Sequence, residues 1–333
     1  MPKIYVNNGL RVVEASDSHS LLSALTAAGI LVPSACGGRA KCGYCRLKIH
    51  DGNNQVTGPE IHHLSQDEQD KGFRLACQFV VTHDIGVTIP ASYFSARKYR
   101  AKVVEKKALT SDTALLRMQC VEPSEIEFKA GQYVQLRSNF YQGHAPVFRA
   151  YSIASAPSER NVIDLIVKKV DKGICSTWVV DLLQVDSEVV FNGPFGSMLI
   201  SDTTLPMLLI AGASGVAPLL SMLLTCKEMK IDRKIILFFG VRTQADLYLV
   251  DQLTSLGDDL PNFSFIPALS HEPSHSGWKG ERGLITEVID RVLPTCEGYE
   301  AYICGSPAMT TACLSLLCSM KMEPGNIFYD AVL

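Results

Sequence analysis

Three regimes of hydrophobic patterning succeed one another along the 333 residues. Up to about residue 92 the apolar positions come in short runs. Lys3–Val6 and Arg11–Glu14 alternate with period two and predict strands, as do Arg46–Ile49 and Ile85–Ile89. Ser20 to Ala28 has helical spacing, with Ser18 or Ser20 as cap, and a polar helix is predicted around Ser65–Lys71. From 97 to about 203 six short strands follow at regular spacing: Arg100–Lys106, Thr113–Cys120, Gln132–Arg137, Phe148–Ile153, Val162–Lys169 and Ser187–Phe191. That rhythm predicts an antiparallel β-barrel, interrupted by one helix, Ser176 to Leu183. From 204 onward apolar runs alternate with helical patterns. The runs are Met207–Ala211, Ile235–Phe239, Phe263–Leu269, Ala301–Cys304 and Ile327–Tyr329, and helices begin near Val216, Asp246, Leu284 and Ala308. Such alternation predicts a doubly wound α/β domain, a parallel sheet with helices on both faces. The expectation is a multidomain chain of three parts, 1–92 (α+β), 97–203 (antiparallel barrel) and 204–333 (α/β).

Composition narrows the class of function. A hydrophobic content of 47% and a net charge of −3 describe an ordinary globular protein, without the basic surface that nucleic acid or an acidic membrane would require. Residues 1–13 read as a strand rather than a signal peptide, and no run approaches the roughly 20 apolar residues of a membrane span. Eleven cysteines without an export signal predict a reducing cytoplasm, where thiols bind metal or sit in cores.

The cysteines carry the first chemical signal. Cys36, Cys42 and Cys45 fall within ten residues, separated by gaps of five and two, and Cys77 follows after thirty-one more. Three close thiols and a distant fourth suit a loop wrapped over a 2Fe–2S cluster and closed by a second element; plant-type ferredoxins use a four-residue first gap. Gly37, Gly38 and Gly43 supply the unusual backbone angles that bring N–H groups close to sulfur. The alternatives are zinc, which usually takes two close ligand pairs whereas Cys77 has no near partner, and plain buried thiols.

Two further sets of residues point to nucleotide cofactors. Arg149 and Tyr151 share one face of a strand, where a guanidinium can clamp a pyrophosphate and a phenol can stack on a flat ring. Gly173-Ile-Cys175-Ser176-Thr177 opens the barrel's helix and offers N–H groups and hydroxyls to a phosphate. In the third part the first strand ends in Gly212-Ala-Ser214-Gly215-Val-Ala-Pro218, a glycine turn into a helix, and Cys304-Gly305-Ser-Pro is a second strand-end turn. Singly, each is also compatible with ordinary strand surface or a tight turn.

In their order, Arg149-Ala-Tyr-Ser152, Gly173-x-x-Ser176, Gly193-Pro-Phe-Gly196, Gly212-x-x-Gly215 and Cys304-Gly-Ser-Pro resemble the ferredoxin–NAD(P)H reductase superfamily. The cysteine spacing and Gly72-Phe-Arg-Leu-Ala-Cys77-Gln resemble the F subunit of sodium-translocating NADH:quinone reductases. Reductase components of bacterial oxygenases and the iron–sulfur reductase of dideoxysugar biosynthesis have similar architectures. The resemblance implies a β-grasp ferredoxin domain, an FAD barrel and an NAD(P)H domain. It places Arg149 on the FAD phosphates, Tyr151 on the isoalloxazine and Ser152 near its reactive nitrogen. Gly173, Cys175, Ser176 and Thr177 would hold the pyrophosphate, with Ile166 and Lys168 among the cofactor contacts. Gly212, Ser214, Gly215, Pro218, Arg242 and Gly305 would shape the nicotinamide-nucleotide site, and Cys304 would join Tyr151 and Ser152 as a catalytic residue. Cys36, Cys42, Cys45 and Cys77 would ligate the cluster.

The implied function is electron transfer from NADH through FAD and the cluster to a protein acceptor, an oxygenase or hydroxylase component. Relatives of the quinone-reductase component and of the dideoxysugar reductase are the alternatives, and a redox-sensing cluster protein is the alternative of another class. The resemblance favours NADH, while Arg242 leaves NADPH open. The acceptor is expected at the cysteine-loop rim, around Arg39, Lys41 and Arg46, although residues 1–92 balance eight basic against eight acidic side chains. A monomer without a membrane segment is expected, although the quinone-reductase component carries an N-terminal membrane helix. Family members place an aromatic near the C-terminus, where this chain has Val332; Phe328 or Tyr329 would serve only with a shifted register. His62 and His63 read as a solvated pair, Cys313 and Cys318 as core, and Asp330 as either solvated or touching the flavin or the acceptor.

Overall fold

The computed structural model describes residues 1–15, 20–34, 36–50, 55–90 and 92–331. The chain separates into two compact units: 1–99, 134–150 and 189–195 in one; 100–133, 151–188 and 196–333 in the other.

The N-terminal sheet lies in the first unit. Its strands are β1 (Lys3–Val6), β2 (Arg11–Glu14), β3 (Arg46–His50), β4 (Phe73–Leu75) and β5 (Ile85–Thr88), in the order β2-β1-β5-β3-β4. Only β1 and β5 run parallel; the other pairs are antiparallel. Helix α1 (Leu21–Ala27) lays Leu21, Ala24 and Leu25 into the core, and the Ser20 hydroxyl caps it by accepting from Ser23 N at 3.3 Å. The other proposed cap, Ser18, lies outside the described residues. Two short helices follow, α2 (Gly58–Ile61) and α3 (Gln66–Asp70); α3 is closed by a capping box of Ser65 and Glu68. The sequence pattern did not reveal α2, β4 or the single turn α4 (Ser92–Ser95).

The second sheet takes strands from both units. It consists of β6 (Arg97–Ala108), β7 (Thr113–Glu122), β8 (Tyr133–Arg137), β9 (Phe148–Ser152), β10 (Val162–Lys168) and β11 (Glu188–Phe195), ordered β10-β7-β6-β11-β8-β9. An antiparallel bridge between Ile153, just past β9, and Leu165 in β10 joins the two ends, so the sheet comes close to a closed barrel. The helix expected from Ser176 begins two residues earlier as α5 (Ile174–Thr177) and continues as a π-turn over Trp178–Leu182. Trp178 and Val179 are buried there.

The third sheet, in the second unit, is wholly parallel. Strands β12 (Met207–Gly212), β13 (Ile235–Val241), β14 (Phe263–Leu269), β15 (Glu281–Arg282), β16 (Glu300–Gly305) and β17 (Ile327–Ala331) run in the order β15-β14-β13-β12-β16-β17. Because helices cover both faces, the central strands are apolar without interruption. Met207, Leu209 and Ala211 of β12 enter one core, with α6 (Val216–Glu228) and α7 (Val250–Asp259). Leu208 and Ile210 enter the other, with α8 (Ile285–Val292) and α9 (Pro307–Ser319). Strand order reverses at β12, between β13 and β16, which opens a crevice at the carboxyl ends of these strands. Cys313 lies in that second core, but Cys318 is exposed: five positions on, it has turned to the solvent side of α9.

Candidate functional site

The four cysteines of the first unit form two pairs. The Cys42 thiol donates to Cys36 Sγ at 3.4 Å, and this bond, aided by the N–H groups of Lys41 and Arg39, holds Cys36 down at about 4 despite burial. Donating, and buried, Cys42 is pushed up. Cys45 donates in the same way to Cys77, which is lowered to about 7 while Cys45 is raised. Among the described residues no three His, Cys, Asp or Glu side chains converge as a single ion would require. Two thiol pairs side by side suit two irons better than one zinc.

The loop backbone is shaped for the same task. Gly37, Gly38 and Gly43 have φ of +66°, +81° and +69°, and Ala40 joins them at +54°. N–H groups consequently turn inward: Lys41 N lies 3.4 Å from Cys36 Sγ, Ala40 N–H reaches Cys77, and Gln78 Nε2 donates to Cys77 Sγ at 3.7 Å. The residues present therefore fit a 2Fe–2S cluster. Cys36 and Cys42 pack with Tyr44 and with Ala150 of β9, and a Cβ on Gly37 would sit 3.7 Å from an Arg149 Nη.

The rim charges are less free than their sequence positions suggest. Arg46 donates to Gly43 O (3.2 Å), to His63 O (3.3 Å) and to Glu68 (2.6 Å), and Arg39 Nε donates to Cys36 O at 2.9 Å. Arg46 and Arg39 thus brace the loop, and the exposed Lys41 is the rim cation with no bonded acceptor among the described contacts. His63 also departs from expectation. Only His62 is exposed; the His63 ring rests on Gly43 and bonds Ala40 O at 2.9 Å.

Strand β9 differs from every other barrel strand: all five of its residues are half-buried and none is fully covered. Arg149, Tyr151 and Ser152 stand on it, each partly accessible. The Arg149 guanidinium donates to Phe148 O at 2.7 Å. At Gly173 the side chains of Cys175 and Ser176 turn inward, and Ser176 Oγ accepts from Val170 N at 3.3 Å. Whatever this turn offers a phosphate comes from its backbone and Thr177. Ile166 is a core residue, while Lys168 pairs with Asp112 at 2.5 Å.

In the second unit a cavity of about 490 Å³ opens at the carboxyl ends of β12, β13 and β14, bounded by Gly212, Gly240, Arg242, Tyr248, Ser270 and Met309. This size and place suit a nucleotide. The Tyr248 hydroxyl is buried here without a partner, an acceptor or donor that a bound polar ligand can satisfy. Ser214 is half-buried beside the turn, and Gly215 and Pro218 are buried and serve packing. A Cβ on Gly215 would lie 2.0 Å from Cys304 O, which fixes glycine at that position. Asp246 is occupied as the cap of its own turn, accepting from Thr243 N at 2.9 Å.

Cys304 is fully buried at the end of β16, hydrogen-bonded to the Ser152 hydroxyl, and burial together with Asp330 pushes its thiol up. Asp330 pairs in register with Cys304, and its Oδ2 is buried with no partner. Burial of this carboxyl in a half-buried residue raises Asp330 to about 7. Phe328 stacks on Tyr302 at 5.1 Å and is committed to the core; Tyr329 is exposed, and Val332 lies outside the described residues. Between the usual Asp range and about 7 the folded chain keeps a proton that the unfolded chain releases, so stability falls as pH rises through that window. Thermal melts of Asp330→Asn are expected to show a gain at pH 8 that shrinks towards pH 4; an equal gain at both would contradict this environment.

Comparison with known proteins agrees with the geometry. Family models match the 2Fe-2S iron-sulfur cluster binding domain at residues 4–82, the oxidoreductase FAD-binding domain at 100–200 and the oxidoreductase NAD-binding domain at 209–314. The F subunit of the Na(+)-translocating NADH-quinone reductase of Neisseria gonorrhoeae is 30% identical over 353 residues, covering 93% of this chain and 86% of that protein. Among solved structures, the Amycolatopsis cytochrome P450 reductase GcoB is 29% identical with a TM-score of 0.81, covering 100% of this chain and 99% of that one. A ferredoxin reductase in carbazole 1,9a-dioxygenase, FAD apo form, is 25% identical with a TM-score of 0.69, covering 99% and 98%.

Proposed function

The chain belongs to the N-terminal-ferredoxin branch of the ferredoxin–NAD(P)H reductase superfamily, as an iron–sulfur flavoprotein reductase, and on that premise we propose that it delivers single electrons to an oxygenase or hydroxylase component. The observation that supports this acceptor is the end-to-end correspondence with a cytochrome P450 reductase. Bound FAD supplies the exchange between a two-electron hydride donor and a one-electron carrier. The protein contributes position and electrostatics. We assign residues 1–92, 97–203 and 204–333 to the cluster, FAD and NAD(P)H parts.

In this reading Arg149 and Thr177, with the backbone from Gly173 to Ser176, hold the FAD phosphates, and Tyr151 packs on the ring. Ser152 and Cys304 share a hydrogen bond and would lie beside the nicotinamide and flavin rings, which hydride transfer requires in contact. Gly212, Arg242 and Gly305 border the nicotinamide nucleotide; NADH is the donor by kinship with the NADH-quinone reductase component. The Cys36–Cys42 pair, packed on Ala150 of β9, would hold the cluster's side towards that strand, and the acceptor would dock on the loop's outer rim at Lys41. None of the eleven cysteines forms a disulfide among the described residues, in keeping with the reducing compartment we propose, the cytoplasm. Among the described residues no helix is long and apolar enough to cross a membrane.

The second reading, a quinone reductase akin to the Neisseria protein, rests on the 30% identity. Steady-state NADH oxidation with a one-electron haem or Rieske oxygenase protein, compared with a soluble quinone, separates the two. Cluster-dependent turnover with the protein acceptor is expected. Turnover with quinone alone would remove the oxygenase assignment.

A further inference from the structure

His63 lies outside the cysteine motif, yet it holds a peptide whose two ends reach the His63 ring and a cysteine sulfur. The His63 ring bonds the carbonyl oxygen of Ala40 through Nε2 at 2.9 Å. That carbonyl belongs to the peptide joining Ala40 to Lys41, and the N–H on the opposite side of the same plane points at Cys36 Sγ, 3.4 Å away. A peptide is rigid and planar, so fixing its C=O fixes the direction of its N–H. The peptide needs holding, because Ala40 sits at φ +54°, a left-handed conformation that is strained for a residue with a Cβ. The preceding peptide shares the restraint, since Ala40 N–H is directed at Cys77.

His63 is itself held in place. Its ring lies on Gly43, where a Cβ would come within 3.1 Å of Nδ1, and its own carbonyl accepts from Arg46 at 3.3 Å. Glu60, three residues earlier, anchors the segment from inside through Arg74 and Leu75 N. Ring, backbone and anchor leave the imidazole one acceptor on the loop, Ala40 O.

We propose that His63 is a positioning residue of the cluster, setting its reduction potential through the Ala40–Lys41 peptide. The inference rests on the 2Fe–2S reading of the four cysteines. An N–H aimed at a ligating sulfur favours the reduced cluster, which carries one more negative charge, and so raises the potential. Removing the imidazole releases the carbonyl, lets the peptide rotate and weakens the bond to Cys36, so the cluster becomes harder to reduce.

The experiment is an anaerobic dye-mediated titration of the holoprotein, followed by the electron paramagnetic resonance of the reduced cluster, for wild type, His63→Leu and His63→Gln. The glutamine amide can keep a donor towards Ala40 O, whereas leucine keeps only bulk. Leucine is expected to shift the ratio of reduced to oxidised cluster at fixed poise by about tenfold towards oxidised, about 59 mV for one electron. Glutamine is expected to restore most of it. A leucine variant with the wild-type potential overturns the inference, and so does glutamine shifted as far as leucine. Should leucine empty the site, glutamine decides alone: wild-type iron content and potential support the role, a lowered potential refutes it. A wild type without a 2Fe–2S signal would instead overturn the cluster reading itself.

Discussion

Cys42→Ser is expected to abolish electron delivery to a one-electron protein acceptor while leaving NADH oxidation by a flavin-level dye close to wild type. Cys42 is one half of the pair with Cys36, 3.4 Å away, and lies in the small cluster of residues that includes Ala150 of β9. Serine offers a hard, poorly ionised oxygen where the chemistry needs a thiolate. Loss of a first ligand should exceed the about 10–100-fold that removal of an outer partner costs a metal site. The cavity bounded by Gly212, Arg242 and Tyr248 and the Ser152–Cys304 bond involve no group of the cysteine loop, so the dye reaction is preserved. Parallel assays with a protein acceptor and with the dye read the difference directly. Equal loss of both activities would mean that the cluster is not a separate station beyond the flavin.

Glu60→Ala is expected to destabilise the first unit by about 3–5 kcal/mol, the usual penalty for leaving one member of a buried ion pair alone. Glu60 is completely buried. Its carboxylate accepts from Arg74 Nε at 2.8 Å and Nη2 at 2.7 Å, from Leu75 N at 2.8 Å and from Thr57 N at 2.8 Å. The Arg74 guanidinium is also covered by the Phe79 ring, 5.1 Å to its centre, and cannot escape to water. Leu75 lies two residues before Cys77, so the variant should also lose iron as it loosens. Burial works against ionisation of Glu60, but Arg74 and the Thr57 and Leu75 N–H groups outweigh it and hold the carboxyl below its usual range. The wild type therefore keeps this stabilisation above the unfolded-state value and loses it as pH falls through the depressed folded value; the variant should lack that acid-side slope. Chemical denaturation at pH 7 and at pH 4, followed by the cluster's visible absorbance, checks both parts. A midpoint unchanged at pH 7 would contradict the ion-pair account.

Much of this architecture was legible in the sequence because local patterning and tertiary burial agree. The runs of β12 and β13 are apolar throughout because both faces of the sheet are covered, and Phe263–Leu269 is a strand within the bounds its pattern sets. The cysteine spacing, with glycines at positive φ, announced a loop folded over its own thiols. What stayed hidden depends on contacts between distant residues. The glycine at 215 reads as a phosphate turn, but the space its side chain would need is filled by the Cys304 carbonyl, far away in sequence. Glu60 and Arg74 look like two surface charges until β4 and α2 meet around them. His63 next to His62 looks solvated because nothing local reveals that Ala40 will turn its carbonyl towards the ring. Nor can sequence alone show that Arg46 donates to Gly43, His63 and Glu68 and so braces the loop.

Reducing equivalents, as proposed above, enter at the cavity bounded by Gly212, Arg242 and Tyr248 and leave singly by the cysteine loop. Rapid anaerobic mixing of the purified holoprotein with NADH, followed at flavin and iron–sulfur wavelengths, tests this route most directly. The oxidised-flavin band is expected to be lost first, then the cluster band at a rate no slower than turnover with the acceptor. A flavin band that bleaches fully while the cluster stays oxidised would contradict this route.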